Sequence, residues 1–435
     1  MVQAAATAAG LAALPLPRLL RSTAVLHACA SETLVHWGSA LLSRASAGAL
    51  PPLLGRPALA VARATFFRQF AAGETLTDVA SVAGLLERSN VKCIVDHSTE
   101  ELTCRKQRRE SLDSKLRLVR KLSTELPGAG AFVPVKMTSL IAPQLLERLS
   151  AAMAVPAADT PADTPADTSA ALAEVVAALE ADDREELEEA LASLRELCSG
   201  AAAARVPLLL DAEQSHRQPA IRLIARTLSA QFNRTPLPIV YDTHQAYLRG
   251  AESVLSQELR HARAGGYTLA VKLVRGAYLT AERARDAERD DASSEVSSVA
   301  SEQDGGAGVG ESGGQRPQPR RGATVHESKE ETDGSYDRCA TMLLAAATTG
   351  VPGAGAGADL TNPAAGALLL ATHNRASARA VAEQMQKSGT ALDHPRVHFA
   401  QILGMADDLT FSLGLGGYNA LKLYAHDARP SARLD

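Results

Sequence analysis

Aromatic side chains supply only 3% of the 435 residues, and a single tryptophan is among them. A core built without them must rest on small aliphatic side chains, and heavy use of alanine favours helix-rich packing. Cysteine is scarce and scattered: Cys29, Cys93, Cys104, Cys198 and Cys339 show no C-x-x-C spacing. That excludes a disulfide framework and a zinc ribbon, and fits a reducing compartment. No run of eighteen apolar residues occurs, so a transmembrane helix is not expected. The formal charge of -4 lacks the basic excess of a sequence-independent nucleic-acid binder, and no nucleic-acid partner is expected. What is present is ample core material, with 46% hydrophobic and 22% charged residues. The length suits up to three average domains, or one α/β barrel carrying insertions.

Acidic residues are missing altogether from 1–31, where Arg18 and Arg21 stand in an alanine-rich background. Such a leader is similar to an organelle transit peptide, and mitochondrial targeting is expected. We divide the chain into a leader and helical region over 1–60 and a barrel over 61–435. Two stretches have compositions that do not build a core. The Ala-Asp-Thr-Pro repeat at 157–169 is a connector in which proline blocks helix propagation. Residues 290–322 are rich in Ser, Gly and Glu, then Pro and Arg, and predict a surface insertion. Gly353–Gly357 looks superficially like a nucleotide loop, but no strand precedes it and the G-x-G-x-x-G spacing is unmet.

Between the insertions, short apolar runs alternate with segments of helical periodicity. The runs are Val91–Asp96, Ala131–Thr138, Val206–Asp211, Leu237–Thr243, Thr268–Val274, Ala367–Thr372, Val397–Ile402 and Asn419–Tyr424. Runs without polar alternation are what strands buried on both faces require. Helical segments are expected at 111–126, 185–197, 219–232, 246–264, 336–347 and 376–387. Eight such units predict an α/β fold, a (β/α)8 TIM-like barrel; a doubly wound sheet is the alternative. Polar residues gather at the C-terminal ends of the runs: Asp96, Lys136, Thr138, Asp211, Glu213, Gln245, Arg275, Thr372, His373, Gln401 and Tyr424. In a barrel that end faces the active site. His394 and His398 are spaced like a metal pair, but Pro395 interrupts them and no metal is expected.

Lys272 and Arg275 straddle the fifth strand exit, where fixed cations could stabilise negative charge developing in a ligand. Asp211 and Glu213 read equally well as acid/base groups or as helix caps. Lys136, in the apolar context VPVKMTS, needs a carboxylate partner if buried, and Asp211 is the candidate.

Three stretches carry a family likeness: VPLLLDAEQSHRQPAI at 206–221, VKLVRGAYLTAER at 271–283, and ATHN at 371–374 with QILGM at 401–405. Together with ARATFFRQFAAGET and KCIVDHSTEE upstream, they resemble the proline dehydrogenase family in its eukaryotic mitochondrial form. The resemblance implies FAD-dependent oxidation of L-proline to Δ1-pyrroline-5-carboxylate, with hydride passing to flavin N5 and electrons to a quinone. It further implies peripheral association with the matrix side of the mitochondrial inner membrane. By resemblance, Lys272 and Arg275 address the flavin, with Gly276 and Ala277 allowing close backbone approach. The Lys-then-Arg order here leaves open which of the two meets N5. Asp211 and Lys136 become an active-site ion pair, and Ala212 contacts the flavin through its backbone. Gln245 bonds the polar edge of the flavin, Thr372 and His373 hold the adenosine half with Asn374 following, and Tyr278 and Tyr424 wall the proline pocket.

One departure stands out. The family carries an Arg-Arg pair, which clamps the substrate carboxylate, on a helix after the eighth strand. Here only Ala425–Asp435 follows, Pro430 within it, so the last barrel helix is expected to be missing and the sequence to be truncated. Hydroxyproline oxidation, or an inactive flavin-binding chain without the clamp, are the alternatives.

Overall fold

A computed structural model describes residues 14–71, 73, 76–96, 101–125, 131–153, 168–289, 324–348 and 366–425. The insertion expected at 290–322, the loop at 353–357, the tail with Arg429 and Arg433, and most of the connector at 157–169 lie outside them.

Three helices open the described chain: α1 (Leu16–Cys29), α2 (Glu32–Ser46) and α3 (Pro52–Ala62). The Ser31 side chain accepts a hydrogen bond from the Leu34 amide and caps α2. A π-turn (Arg63–Phe67) and α4 (Leu76–Glu87) lead to the first strand. From there β1 (Val91–Asp96), α5 (Arg105–Glu125), β2 (Val133–Lys136), α6 (Pro143–Met153), α7 (Thr168–Ala177), α8 (Ala181–Ala204) and β3 (Leu208–Asp211) follow. Next come α9 (Gln218–Phe232), β4 (Val240–Gln245), α10 (Ala251–Gly265), β5 (Leu269–Val274), a helical stretch at 279–289, and α11 (Lys329–Thr348). The described chain ends with β6 (Gly366–Ala371), α12 (Arg375–Lys387), β7 (Val397–Ile402), α13 (Asp407–Leu415) and β8 (Ala420–Ala425).

All eight strands are parallel, in the order β1-β8-β7-β6-β5-β4-β3-β2. An open doubly wound sheet is thereby excluded. The last seam is closed by one bridge, Ile94 to Phe132, through Val95 N to Phe132 O (2.9 Å) and Phe132 N to Cys93 O (3.0 Å). Alternation along each strand separates two cores. Ile94, Phe132, Leu209, Tyr241, Leu369 and Leu421 fill the barrel. Leu208, Leu210, Val271, Leu368, Phe399 and Tyr424 face the helices.

Strands β1 and β7 have the bounds expected from the sequence. Strand β2 stops two residues earlier than expected, because Met137–Ser139 turn into a 3-10 helix and Ser139 Oγ donates back to Lys136 O at 2.7 Å. Strand β4 runs two residues further, so Gln245 belongs to the strand itself. Helix α10 begins at Ala251, five residues later than expected, since 246–250 form a turn bridged from Leu248 to Val325. Helix α13 has no counterpart among the expected helical segments.

Candidate active site at the strand exits of the barrel

Lys272, two residues before the end of β5, extends its Nζ to Asp211 Oδ1 at 2.6 Å across the barrel mouth. The two side chains keep only 11% and 14% of their surface exposed, so the pair is largely desolvated. The sequence assigned the Asp211 ion pair to Lys136. Lys136 stands beside Asp211 as its ladder partner between β2 and β3, and Lys272 is a second cation at the same carboxylate, hydrogen-bonded to it. A further lysine went unnoticed in the sequence. Lys115 on α5 is 1% exposed, and burial pushes its ammonium down to about 8 while Asp96 and Asp211 work against that shift. Its signal was there to read: Leu112, Lys115, Val119 and Leu122 fall on one helical stripe of otherwise buried apolar residues.

Arg275 is fixed from three directions. Its Nε donates to Asp333 Oδ1 at 2.6 Å, Nη1 to Thr372 Oγ1 at 2.7 Å and Nη2 to Ser377 Oγ at 3.0 Å. The guanidinium also lies over the Tyr336 ring, 4.2 Å from its centroid. Burial alone would raise the Asp333 carboxyl, but hydrogen bonds and charge from Lys329 and Arg275 hold it below its ordinary range. A depressed folded-state pKa contributes stability above the unfolded value that disappears as pH falls through the folded one. The urea midpoint gap between the protein and Asp333→Asn is therefore expected to be full at neutral pH and to close below about pH 4. A gap that widens on acidification would show that Asp333 is not held this way.

Lys272 and Arg275 share a cavity of about 550 Å³ with Thr372, His373, Asn374 and Gln401, floored by Ile94, Leu369 and Ala400 of the barrel core. The volume falls in the range of small-molecule and cofactor sites. His373 Nε2 accepts from the Ile402 amide at 3.1 Å, and burial lowers its pKa, with Lys422 adding to the effect. Its imidazole is accordingly neutral and locked in one tautomer. Asn374 caps α12, its Oδ1 accepting from Ala376 N and Ser377 N.

Several expected contacts turn out to be struts between strand exits. Glu213 Oε1 accepts from Thr138 N at 3.0 Å and the carboxylate meets Arg217, so it ties the β2 exit to the β3 exit. Gln245 Nε2 donates to Glu213 O at 2.8 Å, while its Oε1 accepts from Ala277 N at 3.3 Å. Ala212 is buried beside them. Gly276 has φ of +147°, and a Cβ there would stand 2.0 Å from Tyr247 Cδ1. The close approach that glycine permits is thus to a tyrosine ring of this chain. Gln401 closes the next joint, with Nε2 donating to Thr372 O and Oε1 accepting from Thr410.

The two tyrosines fare differently from expectation. Tyr278 is half-buried at the head of the 279–289 stretch and is not among the residues lining the cavity. Tyr424 is fully buried on the outer face of β8, against the Cys93 side chain in the core between barrel and helices. It does not wall the mouth. The alternation of β8 is set by Leu421 and Leu423 pointing inward, and it is Leu423 that lines the cavity. Lys422, 0% exposed, points outward with Tyr424 and is held by Ile402 O, Met405 O and Asp407 Oδ1 at 3.1, 2.6 and 2.8 Å.

Comparison with known proteins converges on one family. The chain is 28% identical over 426 residues to Proline dehydrogenase 1, mitochondrial, of Arabidopsis thaliana, covering 94% of this chain and 76% of the relative. It is equally 28% identical over 426 residues to Hydroxyproline dehydrogenase of Mus musculus, covering 93% and 82%. In three dimensions it is similar to proline utilization A (PutA) from Bdellovibrio bacteriovorus, in a crystal structure of the protein inactivated by N-propargylglycine. The TM-score is 0.59 at 18% identity, covering 87% of this chain and 32% of that one. The chain spans about a third of the PutA length, and the likeness concerns the fold alone. A family model for proline dehydrogenase matches residues 80–304 and 318–426, that is, every strand and every exit described above. A closed eight-strand barrel with its cations gathered at the β5 exit is therefore that of an oxidoreductase lineage acting on proline, and the chain belongs to the proline dehydrogenase family.

Proposed function

We propose that the chain oxidises L-proline to Δ1-pyrroline-5-carboxylate with FAD as cofactor, and that a quinone takes up the electrons. The observation that carries the reading is the convergence of Lys272, Arg275 and Thr372 on one cavity over the barrel core. The donor set suits a flavin. Lys272 offers three N–H donors and uses one on Asp211; Arg275 has five and uses three on Asp333, Thr372 and Ser377. Cations with donors to spare suit a ring that gains negative charge on reduction. When bound, the flavin supplies the hydride acceptor for the C5 hydrogen of proline.

The chain's own residues do the positioning. Lys272 and Arg275 hold the polar ring edge, and Gln245, Ala212, Gly276 and Ala277 shape the backbone around it. Thr372, His373 and Asn374, on the rim after β6, suit the adenosine half. The Asp211–Lys272 pair sets the local field and keeps its two opposite charges fixed where proline loses a hydride from carbon and a proton from nitrogen. Lys136, beside Asp211, completes this charged group. Mitochondrial relatives support placing the protein in mitochondria; the quinone acceptor, on this reading, puts it at the matrix side of the inner membrane.

Adding proline anaerobically to the purified, FAD-loaded chain is expected to bleach the flavin absorbance. Flavin retained without bleaching, or no flavin retained, would overturn the reading. Relatives of both names at equal identity favour one second reading, hydroxyproline as substrate, and the same titration with hydroxyproline decides between them.

A further inference from the structure

Of the sixteen large hydrophobic side chains exposed among the described residues, eleven lie between Leu16 and Phe66. On α2, Leu34, Trp37 and Leu41 stand at i, i+3 and i+7 and form one stripe, exposed by 58%, 70% and 47%. On α3, Leu54 and Val61 repeat the seven-residue spacing, and Leu53 is 88% exposed. Within α2 only Gly38, Leu42 and Ala45 fall short of full exposure, so among the described residues nothing covers its apolar stripe. Concentrations of this kind mark interaction surfaces, since scattered single residues are the norm elsewhere.

The charge of the same segment is as one-sided as its exposure. Residues 14–71 hold six arginines (Arg18, Arg21, Arg44, Arg56, Arg63 and Arg68) and a single acid, Glu32, in a chain that is acidic as a whole. Apolar side chains interleaved with arginine, in helices not long and apolar enough to cross a bilayer, are the pattern of helices that lie in an anionic lipid interface. We propose that the α2–α3 hairpin is the surface by which this protein docks, without spanning, on an anionic phospholipid bilayer. A second copy of the chain would not need the arginines, because the apolar stripe would meet its like across charges of the same sign.

The segments on either side of the docking hairpin, α1 before it and the turn after α3, are tied to the cavity. Ser22 Oγ on α1 donates to Gln69 Oε1 at 2.9 Å, and Gln69 Nε2 donates to Gly404 O at 2.8 Å. Gln69 is 3% exposed, and a Cβ on Gly404 would meet its carbonyl oxygen at 2.2 Å, so the two backbones are in direct contact. Arg18 reaches Asp407 at 3.6 Å, in the carboxylate that also holds Lys422. The loop gripped in this way, 402–407, begins at Ile402 on the cavity rim, whose amide holds His373. Docking would therefore seat the rim of the cavity at the lipid surface. This deepens the quinone reading, on which its purpose rests, because a lipid-dissolved acceptor would be delivered beside the site.

The test uses the full chain with FAD, sedimented with phosphatidylcholine vesicles with and without an anionic phospholipid. Binding is expected only to the anionic vesicles. Arg44→Gln/Arg56→Gln/Arg63→Gln should weaken it by about a hundredfold at low salt, and Leu34→Ser/Trp37→Ser/Leu53→Ser should abolish it. Circular dichroism would confirm that both variants fold, and a water-soluble dye assay with proline should be unchanged in both. Failure of the wild type to sediment, or sedimentation of the serine variant like the wild type, overturns the proposal. So does a dimer that the serine variant dissolves. Dye reduction reads the enzymatic assignment separately: a chain inactive with dye yet bound to vesicles would leave docking standing and remove the oxidoreductase reading.

Discussion

Replacing Lys272 with methionine is expected to lower proline turnover by about 10²–10³-fold, the usual consequence of removing one preorganised electrostatic group. The same change leaves Asp211 largely buried without its 2.6 Å partner, a loss of about 3 kcal/mol for pairs of this kind. The two effects separate in a double variant. Asp211→Asn/Lys272→Met removes both charges, and should regain much of the stability measured by urea unfolding. It should regain none of the rate, because the cation is still absent. Recovery of rate in the double variant would mean that Lys272 serves only to neutralise Asp211, and that charge stabilisation at the mouth comes from Arg275 alone.

Gly276→Ala is expected to be the most damaging single methyl in the barrel. The position has φ of +147°, and the added carbon would lie 2.0 Å from Tyr247 Cδ1. Tyr247 is itself pinned, 3% exposed, with its amide on Arg275 O at 2.7 Å and its carbonyl on His326 N at 2.8 Å. Overpacking and backbone strain of this order together cost about 2–5 kcal/mol. A fall in Tm of several degrees follows for a chain of this size. Trimming the ring in Gly276→Ala/Tyr247→Leu should return the steric part and leave the backbone part. A Gly276→Ala protein as stable as wild type would show that the chain after β5 moves freely.

The barrel was legible because strands buried on both faces advertise themselves as unbroken apolar runs, and β1 and β7 were bounded correctly from that signal alone. The same signal hides which way each side chain points. Runs such as NALKLY lack alternation, so nothing in them says that Tyr424 faces the helices and Leu423 the cavity. Lys422 would ordinarily mark the solvent side; here two carbonyls and Asp407 satisfy it at 0% exposure, and it marks an inner layer. The gathering of polar residues at strand exits was also legible, but the division of labour among them was not. Glu213, Gln245, Gln401 and Asn374 spend their hydrogen bonds on neighbouring backbone, and those partners lie up to dozens of residues away in the chain. That Lys272 reaches Asp211 was not legible, because the two lie 61 positions apart and only the curvature of the barrel brings the β5 exit to the β3 exit. Lys115 was missed for a simpler reason: a lone cation on a charged helix such as RKQRRESLDSKLRLVRK reads as solvated, unless its stripe is traced residue by residue.

The bridge at Phe132 gives the cylinder one thin stave. Every other join is stitched by three to six paired positions, while β1 and β2 meet at one. Thermal breathing of the wall will concentrate at that join, the cheapest place for a closed sheet to part. In a ring of eight, the point diametrically opposite lies between β5 and β6, where Lys272, Arg275 and Thr372 are anchored. The thinnest line of the wall and its braced cation cluster thus stand on opposite sides of the ring, and they meet only through Ile94, which forms the bridge and also floors the cavity.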